Sequence, residues 1–112
     1  LLGWQVQRAG NPETASGLVV GLSPLDAAVV MGHDVESSST VLAAALEGRA
    51  GYIGALGSLR MQQNRADWLA YRGITDLSRV HGPAGIDIEA RTPAEVAVSI
   101  LAEAIGVLNR AA

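Results

Sequence analysis

The chain has 112 residues, about half of them hydrophobic, a formal charge of −3 and no cysteine. That length suits a single domain, and so apolar a composition excludes a disordered segment. The basic residues are all arginine and lie scattered, which argues against a nucleic-acid-binding face. The lack of cysteine removes disulfides and thiol chemistry and fits a reducing, cytoplasmic setting, and no apolar run is long enough to span a membrane.

Leu1-Leu2-Gly3 reads as the last turn of a helix stopped by glycine. Trp4 to Gln7 alternates apolar and polar residues, which predicts a half-buried strand. Asn11-Pro12 and Ser16-Gly17 read as turns, Leu18 to Val20 as a short strand, and Ser23-Pro24 as its break. Ala27 to Met31 is an uninterrupted apolar run, as expected of a strand buried on both faces. A helix follows over residues 36–47, with Val41, Leu42, Ala45 and Leu46 on one face and Gly48 at its end.

Tyr52 to Leu56 predicts the next strand and Leu59 to Tyr71 the next helix, with Leu59, Gln63, Ala66, Leu69 and Ala70 as its buried stripe. Arg65, Asp67 and Arg72 read as a charged, solvated face of that helix, and Trp4 and Trp68 as packing residues. Leu77 to Val80 suits a single helical turn. Residues 81–90 suit an irregular Gly-Pro segment in which His81 is a loop residue. The last helix has the strongest start signal: Thr92 as N-cap, Pro93 at N1 and Glu95 at N3 form a capping box. Ala97, Ile100, Leu101, Ala104, Ile105 and Leu108 then recur at helical spacing. Alternating strands and helices imply right-handed βαβ units and a parallel sheet, in which ligands bind beyond the carboxyl ends of the strands.

Two segments sit at those ends, Gly32-His33-Asp34 and Gly57-Ser58; with what adjoins and follows them they give four motifs: Met31-Gly32-His33-Asp34; Tyr52 to Ser58; Pro83 to Ala90; and Thr92 to Glu103. In this order and spacing they resemble the C-terminal domain of the XdhC/CoxI family of molybdenum-hydroxylase accessory proteins. That family typically has Thr-His-Asp after a strand, Tyr-Ile/Val-Gly-x-Leu-Gly-Ser-Arg, Pro-Ile-Gly-Leu-Asp-Ile-Gly-Ala, and Thr-Pro-x-Glu-Ile-Ala-x-Ser-Ile-x-Ala-Glu. Three positions depart from the pattern: Gly32 replaces the Thr, the Arg after Gly-Ser is displaced to Arg60, and Glu89 replaces the second Gly. The resemblance implies an α/β, Rossmann-like three-layer sandwich with a mostly parallel sheet. In that frame residues 1–112 are a single, partial domain without the family's opening strand and Gly-rich turn. It further implies a non-enzymatic role in binding molybdenum cofactor (molybdopterin) and handing it to an apoenzyme of the xanthine dehydrogenase or CO dehydrogenase type.

Each candidate site residue has a plainer reading beside the functional one. His33 can donate to a phosphate or pterin, or simply fill its loop. Asp34 can accept from a ribose or pterin N–H, or cap the helix. Gly32 and Gly54 stand in the same two segments, Gly57 allows close backbone approach, and Ser58 can donate to a phosphate oxygen or serve as an N-cap. Arg60 can add charge to an anion site or remain a solvated helix residue. Gly85 shapes its loop, Asp87 can cap or bind, and Glu89 disfavours a nearby phosphate. No metal site or catalytic triad is expected. The alternatives are a nicotinamide-type oxidoreductase domain, weakened by the absence of a full Gly-x-Gly-x-x-Gly, and a non-binding dimerisation scaffold. If the chain is no longer than this, loss of a central opening strand would leave sheet edges unpaired, and so predicts a homodimer or a rearranged sheet.

Overall fold

The computed structural model describes residues 3–111, so the helix end expected at Leu1-Leu2 lies outside the described residues. Its elements in chain order are α1 (Pro12–Val20), β1 (Ala27–Val30), α2 (Val35–Glu47), β2 (Tyr52–Ala55), α3 (Leu59–Tyr71), β3 (Val80–His81) and α4 (Pro93–Ala111). The strands form one sheet in the order β1-β2-β3, and both pairings are parallel. Ala28 faces Ile53 in register, and Ile53 faces Val80.

Strand alternation divides the interior in two. On one face, Ala28 and Val30 of β1 and Ile53 and Ala55 of β2 pack with Val41, Leu42 and Ala45 of α2 and Leu69 of α3; Val19 of α1 closes that cluster from outside. On the other face, Tyr52 packs with Ile100 and Ala104 of α4. Helices therefore cover both faces, as the α/β sandwich expectation requires.

Helix boundaries follow local chemistry. Asn11, Asp34 and Ser58 each accept, through the side chain, an amide from the first turn of the helix that follows. The capping box of α4 is complete: Glu95 N–H donates to Thr92 Oγ1 at 3.1 Å, and the Glu95 carboxylate accepts from the amides of Thr92 and Arg91. At the other end of α2, Arg79 donates to the carbonyls of Leu46, Gly48 and Ala50, which would otherwise lack partners.

Several expectations are corrected. Residues 4–7 are exposed and form no strand, because no neighbouring strand pairs with them; Trp4 is accordingly solvent-exposed, not packed. Leu18 to Val20 ends helix α1. Asn11-Pro12-Glu13 starts that helix, and three apolar residues alone cannot distinguish a strand from a helix end. Leu77 to Val80 closes a turn, Val80 N–H donating to Leu77 O, and Val80-His81 then adds to the sheet; His81 is a strand residue opposite Gly54. The inner face of α3 carries Arg65 and Leu69, while Leu59, Gln63 and Ala70 are exposed. In α4 the inner face is Ser99, Ile100 and Ala104, with Ala97 and Leu101 outside. In both helices a polar side chain with hydrogen-bond partners rotates the buried stripe away from the one drawn by apolar residues alone.

Candidate functional site

The loops after β1 and β2 and the loop after β3 meet at the carboxyl ends of the strands. The β1 loop, Met31 to Asp34, ends in the cap of α2: Asp34 Oδ2 accepts from Ser37 N–H at 2.8 Å. That hydrogen bond to the backbone holds the Asp34 carboxyl below the usual carboxylate range, so an ionised acceptor stands at the rim. His33 is exposed beside it. Gly32 takes an ordinary backbone conformation, and a Cβ there would come no closer than 3.5 Å to Ser38 Cβ. The family's Thr is therefore not excluded at this position by backbone geometry.

The β2 loop runs from Leu56 to Ser58. Gly57 adopts a φ of +132°, where a side chain is strained, and an added Cβ would meet Met61 Cγ at 2.9 Å. Ser58 Oγ accepts from Met61 N–H at 3.2 Å. The first amides of α3, those of Leu59 and Arg60, have no acceptor within the helix, and the Arg60 side chain is exposed next to them. Hydrogen-bond donors thus predominate at the end of β2, with the Asp34 acceptor at the neighbouring end of β1.

A buried cation joins these two loops. Arg65 of α3 is 2 % exposed. Its guanidinium donates from Nη1 to Leu56 O at 2.6 Å, from Nη2 to Gly32 O at 2.9 Å and from Nε to Ser38 Oγ at 2.9 Å. Ser38 Oγ in turn donates to Asp34 O at 2.7 Å. Burial pushes the Arg65 pKa down, yet a guanidinium stays charged in proteins. Its three partners are neutral oxygens. Arg65 thus belongs to the interior, not to the solvated face expected of it.

The third loop is tied in from both sides of β2. Ala84 N–H donates to Ala55 O at 3.0 Å. Gln62 Nε2 donates to the carbonyls of Ala55 and Gly57, and its amide lies where a Cβ on Gly82 would fall. On the α4 side, Glu103 Oε1 accepts from Tyr52 Oη at 2.6 Å and from Gly85 N–H at 3.0 Å. The His81 ring stacks on Tyr52 with centroids 4.9 Å apart, and its Nδ1 lies 3.9 Å from Glu103. Burial, reinforced by the bond to Glu103, pushes the Tyr52 hydroxyl well above the usual phenol range. It is a neutral donor at physiological pH.

The nine residues singled out from sequence are therefore not equivalent. Gly32, His33, Asp34, Gly57 and Ser58 lie on two adjacent loops joined by Arg65, and Arg60 stands in the first turn of α3 beside them. Gly85 is held above β2, at φ +105° and with no room for a Cβ beside Ser99 Oγ. Asp87 closes its own exposed turn by accepting from Glu89 N–H at 3.0 Å. Gly54 is buried within the sheet, where a Cβ would lie 2.8 Å from the Tyr52 ring and 3.0 Å from Ala84; its bareness makes room for Tyr52. Among the described residues no three or more His, Asp or Glu side chains gather as metal ligands. An open concavity between the first turns of α1 and α2 is lined by Glu13, Glu36, Ser37 and Thr40 and adjoins the β1 loop through Ser37, whose amide donates to Asp34.

A model of the XdhC Rossmann domain matches residues 3–104. The chain belongs to that family. It is 37% identical over 89 residues to a probable xanthine dehydrogenase subunit from Bacillus subtilis, covering 80% of this chain and 26% of that protein. It is 35% identical over 83 residues to the molybdenum cofactor insertion chaperone PaoD of Escherichia coli, covering 72% of this chain and 26% of that protein. The crystal structure of a xanthine dehydrogenase from Bacillus halodurans superposes with a TM-score of 0.68 at 29% identity, covering 92% of this chain and 29% of that one. The chain thus spans about a quarter of the length of these relatives.

The residues that lock the loops are mostly ones that sequence patterns do not single out. Tyr52 and Glu103 each stand in a family-like segment, but 51 positions apart, and nothing in either segment announces their contact. Arg65 has no signal in helical periodicity, where a lone charge reads as surface.

Proposed function

We propose that this chain is the Rossmann-like part of an accessory protein that binds molybdenum cofactor as cargo and delivers it to a molybdenum hydroxylase apoenzyme. The observation that carries this reading is the meeting of the β1, β2 and β3 loops at the carboxyl ends of parallel strands, fixed by Arg65, Gln62 and Glu103. Ligands of doubly wound sheets bind at this end. The local chemistry fits the cargo. Ser58, the free amides of α3 and Arg60 suit its phosphate oxygens, and Asp34 suits an N–H of its pterin. His33 and Asp87 stand at the rim, and Gly32, Gly57 and Gly85 shape the loops. Similarity to an insertion chaperone supports this direction of transfer. Similarity to xanthine dehydrogenase-type proteins supports a recipient of that class, with a CO dehydrogenase-type enzyme as the alternative recipient. In this reading the chain performs no turnover of its own and works in the cytoplasm.

A homodimer completes the proposal. Among the described residues β1 pairs with β2 alone, and an unpaired strand edge favours association; Val29 of β1 and Met31 after it add exposed apolar surface nearby. Sedimentation at micromolar concentration is expected to give twice the chain mass, and a monomer at all concentrations would remove this part. The cargo itself is tested by anaerobic calorimetric titration with molybdenum cofactor, NAD and ADP in turn. Selective uptake of molybdenum cofactor is expected. Selective uptake of NAD would replace the reading with a nucleotide-dependent oxidoreductase domain, and no uptake of any of the three with a non-binding scaffold.

A further inference from the structure

We propose that Arg65 is a positioning residue: its guanidinium fixes the β1 and β2 loops relative to each other, so that one rigid rim faces the ligand. The consequence for cargo rests on the function proposed above; the consequence for the loops does not. Three observations carry it. Arg65 is buried, and its fork reaches two successive strand ends at once, Gly32 O and Leu56 O. Its Nε holds Ser38 Oγ, which is bonded to the backbone of Asp34, the cap of α2. No carboxylate accompanies the cation among the described residues: the one acid–base contact there is that of His81 with Glu103.

A buried charge without a counter-ion is a costly way to stabilise a core. Arg65 instead supplies geometry. Carbonyls at the carboxyl ends of parallel strands would otherwise point toward a bound ligand. Here two of them accept from the guanidinium, which leaves the exposed Ser58 and the first amides of α3, those of Leu59 and Arg60, as the donors at this end. A planar fork with donors on three nitrogens spans two carbonyls and a hydroxyl in fixed directions, which the compact ammonium of lysine does not.

The test uses the full chain with Arg65→Met and Arg65→Lys, read by amide hydrogen exchange, urea unfolding and titration with molybdenum cofactor. Exchange at residues 32–34 and 56–59 is expected to rise at least tenfold in Arg65→Met beyond any rise shared with α4, which reports the stability lost when Gly32 O, Leu56 O and Ser38 Oγ lose their donor. Arg65→Lys is expected to show the same local pattern, and it carries the test if the Met variant fails to fold. Cofactor affinity is expected to fall at least tenfold in the folded variants. A uniform rise in exchange that follows lost stability, or no rise, would overturn the proposal. So would unchanged affinity in a folded variant when the wild type binds. A wild type that binds no cofactor refutes the function proposed above, while the exchange pattern still decides the role of Arg65.

Discussion

The two sides of β2 hold loops by opposite means. On the α3 side, a cation, Arg65, gathers neutral carbonyls from two strand ends. On the α4 side, a carboxylate, Glu103, gathers a neutral phenol and a backbone amide. The first clamp joins the β1 and β2 loops, and the second joins the β3 loop to β2. The difference teaches where each can fail. The α4 clamp depends on tight packing around Gly54 and Gly85, whereas the α3 clamp depends on one side chain with enough donors.

The largest expected effect is on the α4 side. Gly85→Ala would put a Cβ 2.5 Å from Ser99 Oγ in a left-handed backbone conformation, so a loss of about 3 kcal/mol is expected in urea unfolding. A loss below about 1 kcal/mol would mean that the loop shifts easily and the clamp is soft. Glu103→Ala is next. It strands the Tyr52 hydroxyl and the Gly85 amide, at about 2 kcal/mol, and should leave hydrogen exchange in the β1 loop unchanged if the two clamps act separately.

Tyr52→Phe removes one donor to a carboxylate and is expected to cost about 1.5 kcal/mol near neutral pH. Its pH dependence sharpens the comparison. The folded-state pKa of Tyr52 is raised above the ordinary phenol value of 10.0. The phenol's contribution is therefore complete below about pH 10. Above that the unfolded chain loses its proton while the folded one keeps it, and stability falls by up to about 1.4 kcal/mol per pH unit. Denaturant unfolding from pH 9 upward should show this slope in the wild type and not in Tyr52→Phe; equal slopes would place the phenol in water. The smallest effect belongs to Glu89→Gly. Glu89 holds a φ of 54°, the left-handed region, and the XdhC/CoxI pattern has glycine there. The substitution is expected to change stability by less than about 1 kcal/mol, with relief of strain as the favourable part.

The parallel α/β plan was legible because β1 and β2 are short, unbroken apolar runs ending in glycine-containing loops, and because Thr92, Pro93 and Glu95 mark a helix start unambiguously. The glycine at position 89 of the family pattern was legible too, as a departure, though its cause is a backbone angle that only coordinates reveal. Other features depended on tertiary partners. Trp4 to Gln7 has the alternation of a strand but no neighbour to pair with, whereas Val80-His81 has little strand character and pairs because β2 offers an edge. Arg65, Ser99 and Glu103 are polar residues on inner faces. Periodicity assigns such residues to solvent, since it counts hydrophobicity and cannot see the carbonyls and amides that satisfy them. The glycines divided in the same way. Gly57 serves its loop as expected, while Gly54 serves Tyr52, whose ring no sequence spacing would have laid beneath it.

The most direct test of the central claim is a backbone amide spectrum of the full chain recorded with and without molybdenum cofactor under anaerobic conditions. The account predicts that the shifted amides fall in residues 32–34, 57–60 and 82–87, the loops at the carboxyl ends of the strands. Shifts confined to the concavity between α1 and α2, or an unchanged spectrum at saturating cofactor, would contradict it.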